Sequence, residues 1–152
     1  MKKLYFDTAY LCKLRWNEPG SPEVAACATG CDALVCAVHG RAEFYASGFR
    51  KVREGFASRE AFRVVASQFE ADCAAGAIIF LDLTDKVMAR VKGAFLEAPD
   101  TLFLRAADAL HLACAAEYGF DTIYSNDRHL LAAANHFGIQ GVDVVSHCPP
   151  LV

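Results

Sequence analysis

At 152 residues the chain has the length of one domain, long enough to bury roughly two thirds of the surface it exposes when unfolded, and 55% hydrophobic with 22% charged residues excludes the disordered class. A net charge of −3 excludes nucleic-acid binding through bulk positive charge, while leaving room for a local basic patch. No apolar run approaches the ~20 residues that cross a bilayer, and "MKKLYFDTAY" has neither a long apolar core nor a small-residue cleavage site, so one domain over residues 1–152, cytoplasmic and not bound to a membrane, is expected.

In chain order, "KLYFD" (3–7) reads as a first strand, and "TAYLCKL" starts a helix directly after it. "NEPGSPE" (17–23) is a loop by its Pro and Gly content, with Ser21 or Pro22 opening the next helix. A second strand, "ALVCAV" (33–38), precedes "EFYASGFRKV" and "REAFRVVASQFEADCAAG", both apolar at helical spacing. "AIIFLDL" (77–83) is a third strand, followed by the helical "DKVMARVKGAFLEA", the turn "EAPDT" and the alanine-rich "LRAADALHLACAAEYGF" (104–120). "TIYS" (122–125) is a fourth strand, "RHLLAAANHFG" a helix, and "GVDVVS" (141–146) offers a fifth strand before the non-helical "HCPPLV". Gly76, Gly119 and Gly138 stand where left-handed residues end helices. Strands alternating with helices indicate an α/β fold with a mostly parallel sheet of four to five strands covered on both faces.

The seven cysteines fit neither a CxxC redox pair nor zinc knuckles, and are expected to be reduced and mostly buried. The strongest basic stretch is Phe49–Arg63, with Arg50, Lys51, Arg53, Arg59 and Arg63 against Glu54 and Glu60. It reads either as a solvated helix face or as a phosphate-binding patch.

Three acids fall at carboxyl ends of expected strands, the rim where parallel α/β sheets place ligands: Asp7 after the first, Glu43 a turn into the helix after the second, and Asp127 after the fourth. Taken singly, each also reads as a helix cap. Asp108 differs, because it lies within an almost wholly apolar helix, where an unpaired charge would cost several kcal/mol. Its charge must be met by Arg105 at i−3, by His111 at i+3, or by a cation shared with the other acids. Clustered carboxylates repel unless a divalent ion neutralises them, and oxygen-only ligands select Mg2+ or Mn2+ over zinc. Such a centre suits phosphodiester hydrolysis, lowering the pKa of a water and stabilising charge on phosphoryl oxygens.

Taken together and in order, "YFDTAYL", "GRAEFYAS", "LRAADALHLACA" and "IYSNDRHLLAAA" resemble the PIN domain, and within it the VapC-type toxins of bacterial toxin–antitoxin pairs. The resemblance spans nearly the whole chain. It implies a three-layer α/β/α fold with strand order 3-2-1-4-5, and a Mg2+- or Mn2+-dependent endoribonuclease leaving a 5'-phosphate and a 3'-hydroxyl. Position by position it implies Asp7, Glu43, Asp108 and Asp127 as the acidic site. Asp7 and Asp108 would be direct metal ligands, whereas Glu43 and Asp127 would act through metal-bound waters or at a second, weaker metal. Thr8 and Ser125 would orient water or a carboxylate, with Asn126 as a further helper. RNA phosphates would lie along Arg50, Lys51, Arg53 and Arg128. Implied partners are an RNA substrate, a cognate antitoxin whose tail covers the acidic pocket, and a second copy of the chain. Ala9 and His39 depart from the family pattern, which more often has a small polar residue at each place. His111 reads as a packing and hydrogen-bonding residue, and Trp16 as a loop anchor. The other readings are a PIN-like binding module with little or no turnover and, more remotely, a phosphatase or DNA nuclease; "FDTAY" lacks the second Asp of a DxD phosphatase.

Overall fold

Five parallel strands and seven helices alternate in a computed structural model that describes residues 1–146. The elements are β1 (Lys3–Phe6), α1 (Thr8–Arg15), α2 (Ser21–Ala28), β2 (Ala33–Ala37), α3 (His39–Arg53), α4 (Arg59–Ala74), β3 (Ile78–Leu81), α5 (Asp85–Glu97), α6 (Ala106–Glu117), β4 (Thr122–Tyr124), α7 (Arg128–Ala133) and β5 (Gln140–Val142). A 3-10 turn, Ala134–Phe137, extends α7. The expected "HCPPLV" coil lies outside the described residues.

The sheet runs β3-β2-β1-β4-β5 and every pairing is parallel. Side chains alternate across it, so β1, β2, β3 and β4 each feed two cores. Tyr5, Val35, Ala37 and Ile123 pack with Val87 of α5, Leu112 of α6 and Leu130 of α7. Phe6, Leu34, Cys36 and Ile78 pack with Tyr10 and Leu11 of α1, Val24 of α2, Phe44 of α3 and Phe69 of α4. The result is the three-layer α/β/α arrangement. Phe44 and Phe69 stack with centroids 3.8 Å apart and are both fully buried, each contributing roughly 1.5–3 kcal/mol by leaving water.

β1 is flanked by β2 on one side and β4 on the other. From β1 the chain steps outward to β2 and β3 through α1–α4 on one face, then crosses by α5 and α6 on the other face to reach β4. A constant crossover hand makes helices change face when the direction of stepping reverses. The carboxyl ends of β1 and β4 therefore form the switch point, where such sheets open a crevice.

Local structure follows the expected pattern with three adjustments. Gly76, Gly119 and Gly138 do adopt positive φ at helix ends. β5 ends at Val142 instead of continuing to 146. Beyond it the Tyr10 hydroxyl donates to Asp143 Oδ1 at 3.0 Å and accepts from Val144 N at 2.8 Å, pulling the chain over α1, where Val144 and Val145 join the core. α3 begins at His39, four residues before the expected run, because β2 ends at Ala37 and passes into helix through Val38. α6 begins at Ala106, with Arg105 as its N-cap. Asp108 thus lies in the first helical turn, not mid-helix, where the helix dipole favours a carboxylate.

Candidate acidic metal centre

Asp7 leaves the end of β1 as the N-cap of α1, its Oδ1 accepting from Tyr10 N at 3.0 Å. Register places Ser125 beside it, one residue beyond the Phe6–Tyr124 pair. The buried Ser125 hydroxyl donates to Asp7 Oδ2 and accepts from Asp127 N at 2.9 Å. Asp127 caps α7, accepting from His129 N at 2.8 Å and Leu130 N at 3.3 Å. Both caps are real, and capping occupies only part of each carboxylate's accepting capacity. The capping reading and the ligand reading of these acids are compatible.

Glu43 does not cap α3. Its Oε1 accepts from Thr8 Oγ1 at 2.9 Å and lies 2.8 Å from His111 Nε2 and 3.4 Å from His39 Nε2. Burial opposes its charge, but His111, Thr8 and His39 together outweigh it and its pKa is lowered. Gly40 makes this approach possible: a Cβ there would sit 2.6 Å from Cys36 Sγ and 3.0 Å from Thr8 Oγ1.

Asp108 is 6% exposed and accepts from Arg105 Nε at 2.7 Å. The same guanidinium reaches Asp127 through its terminal nitrogen. Of the two side chains that could meet the Asp108 charge, Arg105 is the one that pairs with it. The Arg105 link holds the Asp127 pKa down against burial, which raises it, and raises that of Arg105 itself. Asp7 has no comparable cation. It is 4% exposed, and burial, only partly offset by Ser125, pushes its pKa up to about 6.

All four acids line one cleft of about 410 Å3, together with Thr8, Ser47, Arg50, Arg105 and His111. A divalent ion fits this set on chemical grounds. Carboxylates from separate elements line the same cleft, one of them is buried with its pKa raised, and two others already hold a cationic side chain. Two imidazoles adjoin this oxygen set, which the sequence had led us to expect without nitrogen. His39, the first residue of α3, lies against His111 with ring centroids 4.1 Å apart and the rings tilted by 47°, and its Nε2 lies 3.2 Å from Ala107 O. Burial lowers the His39 pKa to about 4. Burial works against His111 too, but Cys36 and Glu43 outweigh it and raise the pKa to about 10.

The expected RNA contacts divide. Arg50 is exposed at the cleft, Arg53 lines an adjoining hollow with Glu43, Ser47 and Phe49, and Arg128 is exposed as the first residue of α7. Lys51 is half-buried and engaged, 2.8 Å from Glu18 Oε1 and 5.5 Å from the Trp16 ring centroid. Asn126 is exposed in the turn between β4 and α7. The reading of His111 as a hydrogen-bonding residue agrees with its contacts, although these also make it part of the cleft. The Arg105–Asp127 link and the His39–His111 ring contact were not foreseen, since both join elements distant in sequence. Ser47 and Arg50, at i+4 and i+7 from Glu43, carried a legible signal: one helix face.

Among the described residues no helix is long and apolar enough to cross a membrane, and Cys12, Cys27, Cys31, Cys36, Cys73 and Cys114 are free thiols. A comparison with curated proteins gave no match. Among solved structures, the chain is similar to VapC20 of Mycobacterium tuberculosis, described as a Sarcin-Ricin loop cleaving toxin, at 15% identity and TM-score 0.66, covering 86% of this chain and 94% of that one. It is also similar to a chain of FitAB bound to a DNA fragment, at 16% identity and TM-score 0.68, covering 96% of this chain and 97% of that one. These likenesses show the fold. The sequence model of the PIN domain matches residues 16–135, a span holding Glu43, Asp108 and Asp127 and beginning after Asp7. With that match over most of its length, and with the parallel sheet and rim acids in place, the chain belongs to the PIN domain family.

Proposed function

We propose that this protein is a Mg2+- or Mn2+-dependent endoribonuclease, the cytoplasmic toxin of a VapBC-type toxin–antitoxin pair. The observation that carries this reading is the convergence of Asp7, Glu43, Asp108 and Asp127 on one cleft at the β1–β4 switch point, with Arg50 on the same cleft. The two similar structures, a toxin named for RNA cleavage and a complex on DNA, support it by analogy. The sheet's two cores, which share every strand of its centre, support reading residues 1–152 as one domain.

Asp7 and Asp108 would hold the metal directly, and Glu43 and Asp127 would act at its periphery or at a second, weaker ion. The metal supplies an activated water and charge stabilisation at the scissile phosphate. Ser125 keeps the Asp7 carboxylate oriented, and Thr8 does the same for Glu43. Arg50, Arg53 and Arg128 hold flanking phosphates as exposed cations. The partners are an RNA, a cognate antitoxin and a second copy of the chain.

Asp7→Asn and Asp108→Asn should each abolish Mg2+-dependent cleavage of structured RNA while preserving the circular dichroism spectrum. Matched RNA and DNA oligonucleotides establish the substrate. Wild-type rates in both variants would remove the assignment. One observation favours a second reading, a binding module without turnover: Arg105 pairs with both Asp108 and Asp127 and offsets one of their two charges. Heat released on adding Mn2+, with no RNA cut, would select it.

A further inference from the structure

His39, Glu43 and His111 are the single group of three His, Cys, Asp or Glu residues among those described whose ligand atoms all lie within 4.8 Å of one another. Their chemistry differs from that of the acid cleft. Two imidazole nitrogens and one carboxylate oxygen suit a borderline ion of the zinc class, not Mg2+. A tetrahedral ion about 2.0–2.1 Å from each donor needs donors roughly 3.3–3.4 Å apart. Glu43 Oε1 lies 3.4 Å from His39 Nε2 and 2.8 Å from His111 Nε2, so of the three donor pairs one already has that spacing, one must open by about half an ångström, and the pair of imidazole nitrogens lies within 4.8 Å.

The scaffold holds this trio in place. His39 and Glu43 are i and i+4 on α3, the spacing that presents two ligands on one helix face. His111 faces them from α6 and is 3% exposed. Its Nδ1 lies 3.2 Å from the Tyr5 hydroxyl, which itself accepts from Ala37 N at 3.0 Å. With Nδ1 held by Tyr5, Nε2 is the nitrogen left to a metal, which must displace the proton now bonded to Glu43. Thr8 Oγ1, 2.9 Å from Glu43 and 3.3 Å from His111, steadies the carboxylate. His39 Nδ1 is buried with no hydrogen-bond partner among the described residues, while its Nε2 donates to Ala107 O at 3.2 Å, a bond that an ion at Nε2 would replace.

We propose that His39, Glu43 and His111 form a binding site for one zinc-class ion, with Glu43 shared between this site and the acid cleft. Binding itself does not depend on the nuclease reading. One consequence rests on it: an ion held here withdraws Glu43 from the cleft and antagonises Mg2+-dependent cleavage.

The test uses reduced, metal-free full chain. Zn2+ is titrated by calorimetry and Co2+ by visible absorption. One equivalent should bind, with tetrahedral d–d bands and without the near-ultraviolet band of thiolate coordination. In the wild type, long-range nitrogen NMR should show both imidazoles shifting on Zn2+ addition. His39→Ala should weaken Zn2+ binding at least tenfold, whereas Asp108→Asn should leave it within twofold. The proposal is overturned by absence of Zn2+ binding, by thiolate bands, by unshifted imidazoles, or by a loss in Asp108→Asn matching that in His39→Ala. Should Mg2+-dependent cleavage fail while these signals appear, the nuclease reading falls and the zinc-class site stands.

Discussion

Asp7→Asn gives the most direct measure of how much charge the fold confines at the β1 end. In the metal-free protein the Asp7 pKa rises from 3.8 to about 6, chiefly through burial. A carboxyl that binds its proton more tightly when folded favours the folded state below about pH 4, and that contribution is lost as pH rises through about 6. The shift of roughly two units corresponds to about 3 kcal/mol. Asparagine keeps an acceptor for Tyr10 N and carries no charge, so it resembles protonated aspartate. Stability of Asp7→Asn relative to wild type should therefore be near zero at about pH 4 and about 3 kcal/mol greater at about pH 7, or roughly 6–12 °C in Tm for a chain of this size. The difference between the two proteins is the quantity to follow, because His39 works the other way in the same window. Its pKa, lowered to about 4 by burial, makes the wild type lose stability as pH falls below about 6.5. Urea unfolding in EDTA across this range supplies the measurement, and added Mg2+ should stabilise wild type alone. A variant less stable than wild type at pH 7, or a difference that does not vary with pH, would refute the account of Asp7 as a buried charge awaiting a cation.

Removing the internal cation should separate folding from metal binding. Arg105→Gln leaves Asp108 and Asp127 facing one another, costing on the order of 1 kcal/mol in EDTA because Arg105 is half exposed. It should also tighten Mn2+ binding several-fold by calorimetry; unchanged affinity would mean that the guanidinium does not compete with the ion. Arg50→Ala should weaken RNA binding and reduce the slope of log affinity against log salt by about one, whereas Lys51→Ala, which removes a cation engaged by Glu18, should leave that slope nearly intact. Equal slopes for both variants would show that exposure does not decide which cations meet phosphate. Gly40→Ala forces a methyl against Cys36 Sγ and Thr8 Oγ1, so thermal melts should show a loss of about 1–3 kcal/mol. A melt like that of wild type would mean that α3 can retreat freely.

Much of the fold was legible because periodicity is local. The alternating strands, the helical runs and the positive-φ glycines at 76, 119 and 138 are each set within a few residues. Element ends were less legible where a distant group intervened. β5 stops at Val142 because Tyr10, over a hundred residues earlier in the chain, captures Asp143 and Val144. The start of α6 was misplaced because Ala106 and Ala107 are helical by propensity but give no sign of where the helix begins.

The acids were visible in sequence as residue types standing after strands, and their spacing carried the family resemblance. How each charge is met was not visible. Asp7 and Asp108 are both aspartates with almost no exposure, yet one lies beside a serine and the other beside a guanidinium that also reaches Asp127. The sequence alone determined the α/β alternation, the low net charge and the three acids that follow strands, since these depend on neighbours along the chain. Only the tertiary structure decided that Glu43 meets two histidines, that Lys51 is engaged and Arg50 exposed, and that Arg105 bridges two carboxylates. Those outcomes depend on distances between elements, which parallel crossovers bring together from far apart in the chain.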